Sequence, residues 1–358
     1  MAFPFGDPKS GGAAAIAALP IIRRPRKNGP RVIESPAHTT VVTDPVDGAM
    51  AEVDKLIRQR LASRVALIDQ ISAYIVNAGG KRIRPRLVLL FAEAFGCSGP
   101  ERLELAAIVE FIHTATLLHD DVVDESALRR GRATANAAFG NAASVLVGDF
   151  LYSRAFQMMV SVDRMRVLEV LADATNVIAE GEVLQLMNMH DPDLSVEDYL
   201  RVIRFKTAKL FEASARLGAV LGEVDAAIEE SCAEYGRCLG TAFQLVDDLL
   251  DYEGDTAALG KNVGDDLREG KPTLPLLLAM EKANAGEREL IRHAIEQGEQ
   301  QRLPEIIAIV RRTGALEATR AAAQQEAEKA RQRALALPPT RAREALIDLC
   351  VRSVHRSS

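Results

Sequence analysis

From Thr43 to the C-terminus apolar residues recur at helical spacing, and no stretch sustains the period-two alternation of a strand. Ala, Leu, Glu, Arg and Val dominate this part, and all but Val are strong helix formers. An all-α fold is therefore predicted. The periodicity predicts helices over 45–77, 86–96, 101–121, 141–162, 166–190 and 223–252, with Asn77-Ala78-Gly79-Gly80 stopping the first. Another opens at Ser195, where Ser195-Val196-Glu197-Asp198 offers a capping pattern, and 274–282 begins the final helical section. Within that section a charged Ala/Glu/Arg helix at 314–336 reads as a solvent-facing cover.

At 358 residues the chain has room for one large domain or two ordinary ones. Its 44 basic against 50 acidic side chains leave a net charge of −6, so a general attraction to nucleic acid is not expected and any anion must be held by a local cluster. Cys97, Cys232, Cys238 and Cys350 are widely spaced with no C-x-x-C, which argues against a zinc site or a disulfide framework and for a reducing, cytoplasmic setting. No apolar run approaches the roughly 20 residues of a membrane span. Residues 1–40, rich in Gly, Ala and Pro, read as a disordered tail, and the Arg-Arg that follows its AAAIAALPII stretch is on the wrong side for a signal peptide.

Two acidic clusters interrupt this helical sequence. In TLLHDDVVDES, Asp120 and Asp124 are four positions apart and share a helix face, with Asp121 beside them; in FQLVDDLLDYE, Asp247, Asp248 and Asp251 repeat the pattern. One D-D-x-x-D alone is common on solvated helices, but both copies lie inside strongly apolar sequence, where carboxylates are costly unless a cation compensates them. Oxygen-only ligands of this kind suit Mg²⁺, which takes one or two carboxylates together with substrate phosphate oxygens. If the first cluster ends its helix, the macrodipole there disfavours carboxylates and makes a bound cation more necessary.

Basic residues cluster near these motifs. Arg129, Arg130 and Arg132 follow the first, and Lys81, Arg82 and Arg84 sit in GGKRIRP, where a helix start offers bare N–H groups to an anion. Taken alone, GGKRIRP is equally a solvated basic turn. Lys206 enters an otherwise apolar helix in FKTAK, and a Gly-rich segment holding Lys261 and Lys271 has the composition of a lid. His113, two helical turns before Asp120, could reach a diphosphate, whereas His119 reads as structural. No P-loop, dinucleotide fingerprint or zinc spacing is present.

LLHDDVVDESALRRG and FQLVDDLLDY, with GGKRIRP upstream and FKTA between them, resemble the trans-prenyl diphosphate synthases over roughly residues 43–358. The resemblance implies one catalytic domain over 41–358, an all-α bundle around a central cavity, a homodimer, and supply of a ubiquinone side chain. It implies that Asp120, Asp121 and Asp124 hold Mg²⁺ on an allylic diphosphate such as farnesyl diphosphate, with Asp247, Asp248 and Asp251 completing the metal cluster from the opposite wall. Arg129 matches the residue contacting the allylic diphosphate, and Lys81, Arg84, His113 and Arg130 those binding isopentenyl diphosphate. Lys206, Thr207, Gln244 and Lys261 match those holding the departing diphosphate. Where the family's short-chain members carry a bulky ring before the first motif, this chain has Ala115 and Thr116. Ala115 lies roughly 7.5 Å below Asp120 along the helix, Ile112 about 12 Å and Ile108 about 18 Å, so nothing large blocks the top of a tunnel and a product of about eight isoprene units is expected, ahead of nine or ten. A shorter, geranylgeranyl product is the next alternative. A class I terpene cyclase would guide its cation with aromatic faces, yet Trp is absent and aromatics make up 4%. A non-catalytic subunit would be expected to have lost motif residues that are all present here.

Overall fold

The computed structural model describes residues 44–76, 79–129, 131–253 and 263–356, so the expected tail and the site candidates Arg130 and Lys261 lie outside the described residues. The described chain is helical as expected: α1 Asp47–Leu61, α2 Ala66–Val76, α3 Ile83–Ala94, α4 Glu101–Val123, α5 Ala135–Phe139, α6 Asn141–Val162, α7 Met165–Asn188 and α8 Val196–Ile203. A π-helical turn, Arg204–Ala208, leads into α9 Lys209–Leu221, followed by α10 Ala226–Glu253, α11 Asp265–Arg268 and α12 Leu274–Lys282. Helices α13 Ala285–Gln297, α14 Leu303–Arg312, α15 Ala315–Leu335 and α16 Arg341–Val354 complete it. No described helix is long and apolar enough to cross a membrane.

Helices α4 and α10 carry the acidic motifs, and the bundle is built around them. Helix α4 packs on α3, α6 and α1, while α10 packs on α9 and α15. Leu89, Phe91, Ile108, Ile112 and Phe211 are fully buried in the larger core, with Phe91 edge-on to Tyr235 at 5.2 Å. A second apolar cluster centres on Tyr252, Leu276, Ile291 and Ile306. Small residues let the helices approach closely: a Cβ added at Gly218 of α9 would stand 2.8 Å from the Val88 carbonyl of α3.

Two sequence expectations need correction, and one local element was not anticipated. The segment 45–77 is two helices, because Ala62 turns extended and Ser63 and Asp69 supply a local alternative: the Ser63 N–H donates to Asp69 Oδ1 at 2.9 Å and the Val65 N–H to Ser63 Oγ at 3.2 Å. The basic run after the first acidic motif forms a small antiparallel hairpin, β1 Leu128–Arg129 with β2 Arg132–Ala133, turning through Gly131 at φ +72. Helix α15 is no mere cover. Its Thr319, Ala323, Ala327, Ala330 and Ala334 are buried, four of the five having side chains too small to announce a core face in a charged sequence.

Candidate functional site

The end of α4 faces α10 across a cleft of about 140 Å³. Asp120 and Asp124 line it from α4, Gln185 from α7, Tyr199 from α8, Lys206 and Thr207 from the π-helical turn, and Gln244 and Asp248 from α10; Asp266 and Lys271 close it. Lys206 Nζ lies 2.6 Å from Glu182 Oε2 and 3.6 Å from Asp120 Oδ1. Lys271 Nζ reaches Asp124 Oδ2 at 3.0 Å and Glu269 at 2.5 Å. Thr207 Oγ1 donates to Gln244 Oε1 at 2.9 Å, and Gln244 Nε2 donates to Asp248 Oδ1 at 2.8 Å. The Tyr199 hydroxyl donates to the other Asp248 oxygen at 2.5 Å.

The helix periodicity that puts Asp120 and Asp124 into the cleft turns Asp121 out of it. Asp121 accepts from Arg129 Nε at 2.8 Å and Nη2 at 2.7 Å, and lines a separate cavity with Tyr74 and Thr114. Burial raises its carboxyl above the ordinary range despite Arg129, while Asp121 in turn raises the Arg129 guanidinium against the cost of its own burial. Both values rise: for the acid burial outweighs Arg129, whereas for the guanidinium the charge of Asp121, with Asp120 and Asp124 beside it, outweighs burial.

The second motif is divided as well. Asp248 lines the cleft. Asp251 is fully buried and accepts the Asp266 N–H at 3.2 Å. Asp247 pairs with Arg356 at 2.9 Å. The Arg356 guanidinium lies 3.6 Å from the Phe243 ring centroid, Phe243 packs tilted by 41° against Phe211 with centroids 5.5 Å apart, and Arg84 lies 4.5 Å over Phe211. This ladder joins GGKRIRP to the second acidic motif. Lys81 is exposed in the loop before α3, His113 is half-buried on α4, and Arg82 is committed to a buried ion pair with Glu110. His119 leaves the cleft for α6, 3.3 Å from Asp149 and stacked on Tyr152 with ring centroids 6.2 Å apart.

Among the described residues no three metal-ligating side chains are drawn together into a ready-made centre. The donor set nevertheless fits a hard divalent cation. Four carboxylates line the cleft against two lysines, and burial with neighbouring carboxylates pushes Asp248 up to about 7 and Glu182, against Lys206, up to about 7. A metal ion bound to oxygen ligands would relieve that crowding.

Ala115 and Ile112 are fully buried in the core with Ile108, and Thr116 is half-buried, its hydroxyl bonded to the His113 carbonyl at 2.8 Å. Sequence reasoning noted Lys271 only as part of a loop and missed Glu182, Tyr199, Asp266 and Arg356. Lys271 had a signal in its Gly-rich setting; Glu182, Tyr199 and Arg356 belong to no motif that spacing reveals.

A polyprenyl synthetase family profile matches residues 65–310. Octaprenyl diphosphate synthase of Escherichia coli (strain K12) is 57% identical over 308 residues, covering 86% of this chain and 95% of that one. The chain belongs to the polyprenyl synthetase family. It is thus a trans-prenyltransferase. Another member, the geranyl-diphosphate-specific all-trans-nonaprenyl-diphosphate synthase of Rhodobacter capsulatus, is 47% identical over 85% of this chain and 94% of its own. A crystal structure of a family member, the polyprenyl synthase from Caulobacter crescentus CB15 complexed with calcium and isoprenyl diphosphate, superposes with a TM-score of 0.85 at 48% identity, covering 87% and 96% of the two chains.

Proposed function

We propose that this polyprenyl synthetase is a long-chain all-trans polyprenyl diphosphate synthase making octaprenyl diphosphate, by condensing isopentenyl diphosphate onto an allylic diphosphate such as farnesyl diphosphate. The observation that carries the reading is the cleft in which Asp120 and Asp124 face Asp248 with Lys206 and Lys271 between the walls. The 57% identity to an octaprenyl synthase, against 47% to a nonaprenyl synthase, favours eight units.

In this reading Asp120, Asp124 and Asp248, with Asp266, hold Mg²⁺, and Asp121 instead fixes Arg129. The metal, when bound, neutralises charge on the departing diphosphate. Lys206, Thr207 and Lys271 hold that diphosphate, and the cleft keeps them partly desolvated, where fixed cations act most strongly. The allylic C–O bond breaks with its electron pair going to the diphosphate, and the double bond of isopentenyl diphosphate attacks the resulting cation. The proton then lost goes to the released diphosphate. Lys81, His113 and Arg84, the last lying over the Phe211 ring, bind isopentenyl diphosphate, and the growing chain descends the Ala115 face of α4.

A homodimer is supported by large apolar side chains that one chain leaves exposed: Leu146 (67% exposed) and Val160 on α6, and Val183, Leu186 and Met187 (73%) on α7. A cytoplasmic enzyme feeding quinone side-chain synthesis fits this product. Purified protein with Mg²⁺, farnesyl diphosphate and radiolabelled isopentenyl diphosphate should yield a linear C40 product; absence of label in any linear prenyl product would overturn the reading.

A further inference from the structure

Lys206 and Thr207 lie in a single π-helical turn between α8 and α9. Such turns are rare, are less stable than α-helix and need support from their surroundings. Here both neighbours give way with glycine. A Cβ at Gly181 of α7 would stand 2.5 Å from the Lys206 amide nitrogen and 2.8 Å from the Phe205 carbonyl carbon. A Cβ at Gly240 of α10 would stand 2.7 Å from the Ala208 Cα. These are backbone atoms, which cannot swing aside as a side chain does.

Each glycine also adjoins a residue that grips the same turn. Glu182 follows Gly181 and accepts from Lys206 Nζ at 2.6 Å. Gln244, one helical turn beyond Gly240, accepts from Thr207 Oγ1 at 2.9 Å. We propose that Gly181 and Gly240 are positioning residues that clamp the π-helical turn between α7 and α10, so that Lys206 and Thr207 both face the cleft. The clamp rests on the reading of Lys206 and Thr207 as diphosphate ligands. It sets the turn's distance from both helices by backbone contact, and the two side-chain bonds then fix which way the ligands point.

The test is a double-mutant cycle on the full chain, with farnesyl diphosphate and isopentenyl diphosphate as substrates. A displacement of about 1 Å at such a site costs up to about 100-fold, so Gly181→Ala should lower kcat at least about tenfold while KM for isopentenyl diphosphate moves far less. In a Lys206→Ala/Thr207→Val background the same substitution should lower kcat by no more than about twofold, because the residues it acts through are gone. Gly240→Ala in the same background forms the second cycle. Gly236→Ala is the control: its Cβ would meet the Phe211 carbonyl at 2.3 Å in the adjoining α9 seam, so it should cost stability and leave kcat per folded molecule near wild type. Additive losses in both cycles, or glycine variants with wild-type kcat, would overturn the proposal. So would loss of helical circular dichroism in both glycine variants, which would assign these positions to the bundle as a whole. Lys206→Ala with undiminished kcat would instead overturn the diphosphate-site reading beneath it.

Discussion

Ala115→Tyr puts a ring where the growing chain is proposed to pass. Ala115 is fully buried in the main core, one turn beyond Ile112 on the same α4 face. It lies roughly 7.5 Å along the helix from Asp120, so a phenol there should stop elongation early and cut the product from about eight units to about three or four. The ring overpacks a filled position, which costs about 1–3 kcal/mol and a few degrees of thermal midpoint. The bundle should tolerate that. Thr114→Tyr is the matched comparison, because Thr114 lies about 100° further round the helix and lines two cavities shared with Tyr74, Ile75, Glu110 and Asp121. It should leave product length unchanged. Products from farnesyl diphosphate and labelled isopentenyl diphosphate would be sized by reversed-phase thin-layer chromatography and mass spectrometry, with thermal melts confirming folding. A full-length product from folded Ala115→Tyr, or shortening by Thr114→Tyr alone, would refute the reasoning and move the chain to the Thr114 face of α4.

Asp120→Asn should lower kcat by about 100-fold or more, because a charge lost near the departing diphosphate is felt in the transition state, and should leave urea stability intact; Asp121→Asn should instead lose stability by about 1.5 kcal/mol by weakening its Arg129 pair, with a smaller kinetic defect. Equal profiles for the two would contradict their different surroundings. Lys271→Ala should raise KM for the allylic substrate at least about tenfold, the scale of a lost charge-assisted hydrogen bond, measured by initial rates at saturating isopentenyl diphosphate. Burial and crowding raise Glu182 and Asp248 to about 7. Their folded values lie above the unfolded ones, so the stability they contribute is complete below pH about 4 and is lost as pH rises through about 7. The urea midpoint of metal-free protein should therefore fall from pH 5 to pH 8, and added Mg²⁺ should flatten the fall.

The two acidic motifs were legible because helix periodicity alone puts Asp120 and Asp124 on one face, and because an apolar setting makes charge expensive. The same periodicity gave most helix limits, including 141–162 to the residue. The division of labour inside each motif was not legible. Asp121 is claimed by Arg129 through a hairpin whose pairing depends on Gly131, and Asp247 by Arg356 near the far end of the chain. Lys271 meets Asp124 across 147 residues, a contact that no local pattern encodes. The buried face of α15 escaped notice because Ala323, Ala327, Ala330 and Ala334 pack tightly while contributing little to an amphipathic pattern.

In the protein alone, cations expected to bind diphosphate already hold aspartates expected to bind metal: Lys206 lies by Asp120 and Lys271 on Asp124. A diphosphate entering without metal would have to draw the lysines away and leave Asp120 and Asp124 uncompensated beside its own negative charge. Metal entering without diphosphate would meet carboxylates still claimed by lysines. When both enter, each aspartate exchanges a lysine for metal and each lysine an aspartate for phosphate oxygen, so no buried charge is stranded. Binding of the two is then coupled, and by linkage the coupling is reciprocal. Titration calorimetry should show inorganic diphosphate binding at least about tenfold tighter with saturating Mg²⁺, a coupling of about 1.4 kcal/mol, and Mg²⁺ binding tighter with diphosphate by the same factor. Part of this coupling arises in solution, where Mg²⁺ and diphosphate associate directly, so the decisive measurement is the part that depends on the protein. In Lys271→Ala, Asp124 loses its lysine, and Mg²⁺ should bind more tightly in the absence of diphosphate. Unchanged Mg²⁺ affinity in that variant would show that the lysine and the metal do not compete for Asp124, and the exchange would fall with it.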